Sequence, residues 1–235
     1  MPKRSRRKAS RNSRRTTWIA LGLLVLIAVS GIGVYVYTRP PSSASSNTSS
    51  GTTNTTSRNL DKYAVLDTSQ GTIVVELFPQ DAPKTVLNFE TLANSSFYND
   101  LVWHRIVNGF VIQTGDPNTK NGGGDESTWG QGGSGTTIPF ENSGLPEGQG
   151  CLAMANTSPK GSGASSQFFI NLVNNTSSLD DNYAVFGQVV SGIQVVQAIG
   201  SLPVNSACQS SGGLTCQPVT PSNAMLISVI IQSTA

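Results

Sequence analysis

Apolar and polar positions divide the chain into stretches of different character. Trp18 to Tyr37 reads WIALGLLVLIAVSGIGVYVY, 20 apolar or small residues, with no charge between Arg15 and Arg39. At 1.5 Å rise per residue a helix of that length covers roughly 30 Å, the hydrocarbon thickness of a bilayer. Beyond it the pattern changes to short runs. Lys62–Asp67 and Thr72–Phe78, joined through Ser69-Gln70-Gly71, have the alternation of a β-hairpin. Asp81 precedes Ala82-Pro83, with Val86, Phe89 and Leu92 at helical spacing, which predicts a helix capped by Asp81 and carrying Pro83 in its first turn. Leu101–Val107 and Phe110–Thr114 flank Asn108-Gly109, a hairpin signal. Ala184–Val190 and Met225–Ile231 read as strands and Ile193–Ile199 as a short helix. Two helices among several antiparallel strands predict a mainly β domain, a barrel or sandwich with helical caps.

Four parts follow. Residues 1–16 form a basic tail, 17–38 a membrane anchor, 39–59 a linker and 60–235 a folded domain. The linker segment Ser42–Ser57 holds only Ser, Thr and Asn apart from Ala44 and Gly51, a composition with too little apolar surface to fold. Trp18, Tyr35 and Tyr37 suit the membrane interfaces, and the cationic side of the span is expected in the cytoplasm, leaving the domain on the other side of the cell membrane. A cleavable signal peptide is the alternative, since Ala28-Val29-Ser30 offers small residues for processing.

Charge sharpens this division. The 235 residues carry 15 Lys+Arg and 13 Asp+Glu, a net +2. Eight of those cations lie in the first 15 positions, whereas from Leu60 onward 5 cations oppose all 13 acids, a net of −8. Topology and attraction to anionic lipid account for the basic head. The acidic domain is not expected to bind nucleic acid.

Composition removes several chemistries. With one His and three Cys, and no HExxH, CxxC or DxDxDG spacing, a dedicated metal site is not expected. No G-x-S-x-G accompanies His104, which argues against a serine hydrolase. Gly130-Gln131-Gly132-Gly133-Ser134-Gly135 fits G-x-G-x-x-G literally, but without a preceding strand and a following helix it does not predict dinucleotide binding.

Three ordered blocks carry a resemblance. Residues Trp103-His104-Arg105-Ile106-Val107-Asn108-Gly109-Phe110-Val111-Ile112-Gln113-Thr114-Gly115-Asp116, then Leu152-Ala153-Met154-Ala155-Asn156 with Ser166-Gln167-Phe168-Phe169-Ile170, then Ala184-Val185-Phe186-Gly187-Gln188-Val189 resemble the cyclophilins across roughly residues 61–232. The resemblance implies a closed eight-stranded antiparallel β-barrel capped by two α-helices, peptidyl-prolyl cis-trans isomerase activity without cofactor or metal, proline-containing polypeptides as partners and a monomeric domain. A proline-binding chaperone module with little turnover is the alternative.

By the same resemblance Arg105 is the catalytic arginine, Gln113 and Asn156 bind substrate backbone, and Phe110, Val111, Phe169 and Leu179 line the proline pocket. Ala155, Gln167 and Tyr183 complete the substrate-binding set, and Gly122, in Asn121-Gly122-Gly123-Gly124, borders a secondary peptide pocket. His104 is expected to pack rather than to catalyse. A two-residue Asn108-Gly109 turn would place Arg105 and Gln113 on opposite faces, so a bulge or strong twist between them is predicted. Ser178-Leu179 stands where many members have Trp-Leu, which implies weaker cyclosporin binding, and Tyr183 stands where those members have His. The loop Thr157–Ser165 is longer by two residues than in the best-known members. Cys208 and Cys216 bracket a Ser- and Gly-rich loop and are expected to pair outside the cytoplasm, whereas Cys151 reads as a buried small hydrophobe.

Overall fold

Alternation with period two produces most of the domain. The computed structural model describes residues 62–233 apart from 158, 159, 162, 211, 212 and 214. The expected tail 1–16, anchor 17–38 and linker 39–59 lie outside the described residues, among which no helix is long and apolar enough to cross a membrane. Strand β1 (Lys62–Thr68) turns back into β2 (Gly71–Leu77), burying Ala64, Leu66, Ile73, Val75 and Leu77 on one face. Helix α1 (Pro83–Asn94) buries Val86, Phe89 and Ala93. Its N-cap is Ala82 and not Asp81, and no local side chain caps it. Glu141 does so from a distant loop, its carboxylate accepting from the Lys84 and Thr85 amides at 3.1 and 2.7 Å. A carboxylate there meets two otherwise orphaned donors and the positive end of the helix dipole.

The remaining elements are β3 (Leu101–Val102), β4 (Arg105–Val107), β5 (Val111–Thr114), β6 (Cys151–Met154), β7 (Phe168–Asn171), the single-turn α2 (Thr176–Leu179), β8 (Ala184–Ser191), α3 (Ile193–Gly200), the single-turn α4 (Ala207–Ser210) and β9 (Met225–Gln232). The strands form one antiparallel, curled sheet in the order β3-β9-β1-β2-β8-β6-β7-β5-β4. The described residues therefore hold nine strands where eight were expected. The difference arises at Trp103-His104, which interrupts the expected strand Leu101–Val107: its start pairs with β9 and its end with β5. Among the described residues only α1 and α3 are α-helices of more than one turn, and two single α-turns and three 3-10 segments accompany them.

The half of the sheet nearest the site is buried on both faces. Ile112, Leu152, Met154, Phe168, Ile170, Ala184 and Phe186 point into the main core. Their strand neighbours Val111, Cys151, Ala153, Phe169 and Val185 form a second apolar cluster on the other face. Within the main core Phe89 is fully buried and touches Tyr98, Phe168 and Phe186 at centroid distances of 5.2, 5.4 and 5.3 Å. Phe168 continues the contact to Trp103. These rings hold α1 against the sheet. Phe89→Ala is expected to cost about 3–5 kcal/mol, read as a lowered urea midpoint with the slope unchanged.

Candidate active site

Register determines which polar side chains meet. Arg105 pairs with Gln113, Ile106 with Ile112 and Val107 with Val111, in an uninterrupted ladder. No bulge interrupts the pairing between Arg105 and Gln113. The loop contains three residues, Asn108-Gly109-Phe110, closed by the Phe110 amide donating to the Val107 carbonyl at 2.9 Å, and Gly109 supplies its φ of +71°. A third loop residue shifts the pairing by one position relative to a two-residue turn, and a one-residue shift exchanges faces. Directly opposed residues share a face, so Arg105 and Gln113 stand together.

The half-buried Arg105 guanidinium is held at two points. Its Nε donates to the Gly213 carbonyl at 2.7 Å and one Nη to Gln113 Oε1 at 3.3 Å. Its Cζ lies 5.9 Å from the Phe110 ring centroid. Burial lowers its pKa, opposed by Tyr183, but an arginine remains charged. Beside it Phe110, Ala155, Leu179 and Tyr183 pack partly exposed onto Val111, Phe169 and Ala153. Tyr183 stands edge-on to Phe169 at 5.3 Å. A cation thus borders an apolar floor open to solvent.

A cleft of about 640 Å³ adjoins this floor, lined by Gln113, Ala155, Asn156, Gln167, the glycine-rich segment from Gly130 to Gly135, Thr157, Gly163 and Ser165. Gln113 Nε2 donates to Gln167 Oε1 at 2.9 Å, and Gln167 Nε2 donates to the carbonyls of Gly130 and Gly132 at 2.9 and 2.8 Å. A relay of amides therefore joins Arg105 to the cleft wall. Asn156 Oδ1 is buried and accepts no hydrogen bond among the described residues.

Asp116 fixes the glycine segment. Fully buried, it accepts from the Gly130 and Gly132 amides and, at 2.8 Å, from Asn118 N. A Cβ on Gly132 would lie 2.1 Å from Asp116 Oδ1, so only glycine allows this approach. His104 is buried nearby with its pKa lowered to about 4. Burial is the main cause; Asp116, the Val102 backbone and the Gln167 amide oppose it, Arg105 adds to it, and neither ring nitrogen reaches hydrogen-bond geometry. The imidazole is therefore neutral near pH 7.

Residues 63–220 match the family model described as cyclophilin type peptidyl-prolyl cis-trans isomerase/CLD. The chain belongs to that family. It is 44% identical over 146 residues to the peptidyl-prolyl cis-trans isomerase-like 1 of Aspergillus fumigatus, covering 60% of this chain and 84% of that one. To the mouse protein of the same description it is 42% identical over 145 residues, covering 60% and 81%. A solved cyclophilin-type isomerase from Cryptosporidium parvum superposes with a TM-score of 0.62 at 25% identity, covering 74% of this chain and 99% of that one. A second structure of that protein, in the presence of the dipeptide Ala-Pro, gives 0.61 at 25% identity, with 73% and 99% covered. This cyclophilin domain is a peptidyl-prolyl cis-trans isomerase.

The geometry brings ten of the eleven expected site residues into one continuous surface, and Gly122 falls outside it. The Cβ position of Gly122 faces Pro221, Met225 and Val102, against the start of β9, and the glycines that line the cleft are those at 130, 132, 133 and 135. The literal G-x-G-x-x-G match is that lining. Sequence reasoning also missed Asp116, quoted as the last residue of a motif but given no role, and Gly213, 108 positions from the arginine it holds. Asp116 carried a signal: a lone acid followed by a glycine-rich stretch is a candidate acceptor for bare backbone amides.

Behind the apolar floor lies a buried carboxyl, Glu147. Asn171 Nδ2 donates to it at 2.5 Å, and Asn175 Nδ2 donates to Asn171 Oδ1 at 2.7 Å and to the Phe110 carbonyl at 3.0 Å. Burial raises its pKa to about 7, with Asp180 adding to the shift and the Asn171 bond opposing it. Burial likewise pushes the neighbouring Cys151 thiol up to about 12, which leaves it an unreactive thiol. Because the folded pKa of Glu147 exceeds its ordinary value, the folded state keeps a proton that the unfolded state releases, and stability falls as pH rises from about 4.5 to about 7. Glu147→Gln is expected to remove that fall, so urea midpoints at pH 5 and pH 7.5 should show the variant gaining on wild type at the higher pH.

Proposed function

We propose that Arg105 is the catalytic donor of this isomerase and that the floor beside it holds the proline ring. Rotation about an X-Pro amide passes a barrier of about 18–20 kcal/mol and breaks no covalent bond. Near the twisted state the amide nitrogen regains a lone pair that neither ground state offers. A donor aimed there stabilises the transition state selectively. The observation that carries this reading is the placement of a charged, doubly anchored guanidinium at the edge of the apolar floor formed by Phe110, Val111, Phe169, Leu179 and Tyr183. The floor excludes water from the ring and strengthens the charge's effect.

Gln113, Asn156, Gln167 and Ala155 are assigned to the substrate backbone. All four line the cleft, which supports that assignment. Ser178 is exposed on α2 and its hydroxyl only closes that turn on the Asn175 carbonyl, which supports weak cyclosporin binding. Residues 101–107 are proposed to act as one bent strand that closes the sheet as the family's eight-stranded barrel. The domain is proposed to work as a monomer on proline-containing polypeptides outside the cytoplasm. Residues 17–38 would anchor it in the cell membrane with the basic tail inside and residues 39–59 as tether, a reading supported by the 20-residue apolar run and the eight flanking cations.

Two experiments test this. In a proline-tetrapeptide isomerisation assay the full chain should catalyse, and Arg105→Ala should lose about 10²–10³ in kcat/KM, the loss typical for a single donor to transition-state charge. Peptide binding with wild-type turnover absent would favour the proline-binding module instead. Cells fractionated with high salt and then detergent should release the intact chain only with detergent; release by salt, or an N-terminus beginning after Ser30, would end the anchor assignment.

A further inference from the structure

Gly213, which follows α4, makes the shorter of the two hydrogen bonds that hold Arg105. Strand β4 is an edge strand: β5 occupies one side, and on the other the Ile106 amide donates to the Cys216 carbonyl at 2.8 Å. Three residues earlier in the same loop, the buried Gly213 carbonyl takes Arg105 Nε at 2.7 Å. The Gly213 amide in turn donates to the Cys208 carbonyl at 3.2 Å, and a Cys208–Cys216 disulfide closes the ring, with Cα atoms 4.1 Å apart. A Cβ on Gly213 would stand 3.5 Å from Val107, whose side chain shares a face of β4 with Arg105. Gly213 therefore lies over the arginine stem.

We propose that the disulfide-closed loop Cys208–Cys216 is a positioning element for the catalytic arginine, with the Gly213 carbonyl fixing the guanidinium plane. An arginine side chain has four rotatable bonds, and Gln113 alone leaves it free to swing about one contact. Occupation of Nε by a carbonyl fixes the plane and leaves the remaining Nη–H groups for the substrate nitrogen. The base of the loop does not need the disulfide, because Val204 bridges to Pro218 and the Asn205 amide donates to the Gln217 carbonyl at 2.9 Å. Reduction thus acts at Gly213 and leaves the Val204–Pro218 and Asn205–Gln217 pairings and the sheet intact, so turnover follows the redox state of the two sulfurs.

This inference rests on the assignment of Arg105 as donor, and the test separates the two. The full chain is assayed oxidised, reduced by dithiothreitol, and reoxidised; the dithiol delivers two electrons and two protons, giving two thiols while it closes to its own disulfide. On reduction kcat should fall about tenfold, within the range for a small misplacement of a catalytic group, while KM changes less than twofold. The Arg105 Nε–Hε signal should lose its protection from solvent exchange, and reoxidation should restore both. Cys208→Ser/Cys216→Ser should behave as the reduced protein, with an amide spectrum otherwise that of the folded wild type. Full kcat with both thiols counted free, an Arg105 Hε that stays protected, or a loss confined to KM overturns the proposal. Arg105→Ala at wild-type kcat would instead overturn the donor assignment.

Discussion

Successive side chains of a β-strand point to opposite faces, and β7 is buried on both. Phe168 and Ile170 enter the aromatic core around Phe89, while Phe169 between them becomes the floor on which Phe110, Leu179 and Tyr183 pack. The same division runs through β5, β6 and β8, so one set of strands holds the domain together with one face and forms the candidate pocket with the other. Catalysis and stability consequently share a backbone. A change of register by one residue would exchange the two faces and abolish both, which is why the length of the Asn108–Phe110 loop matters as much as the residues around it.

Given that floor, the polar groups divide their work without proton transfer. His104, the one imidazole in the chain, is buried and neutral, and Cys151 is a protonated thiol under the floor. What remains at the rim is a permanent positive charge and a relay of amides ending on backbone carbonyls. That inventory suits a reaction in which a bond rotates and none breaks. Asp116 does its part at a distance: by taking two glycine amides it keeps their carbonyls turned to Gln167, and Gln167 keeps Gln113 turned to the guanidinium.

Local pattern made much of this legible from the chain alone. The β1–β2 hairpin, α1, α3, β8 and β9 follow periodicity, and the expected site residues other than Gly122 come together around Arg105 and the adjoining cleft. What escaped was decided by geometry between distant segments. Asp81 has the chemistry of a cap, but Glu141 has the position. The Cβ position of Gly122 faces Val102, Pro221 and Met225, while the glycine-rich run eight residues later lines the cleft. The Arg105–Gln113 pairing turned on one additional loop residue, and the Gly213 contact on a loop whose sequence says only that its ends can be joined.

The strand order also sets a condition on how the domain comes into being. Strand β1, the first described, lies between β2 and β9, the last, and its pairing with β9 runs from Tyr63–Gln232 to Thr68–Leu226. During synthesis β1 waits with one edge unpaired until nearly the whole domain has emerged, and α1 waits for Glu141. Contacts of such sequence separation make folding slow and leave an open edge exposed meanwhile. A protein whose work is to shorten the slow steps of other chains is thus itself a late closer, dependent on its final strand.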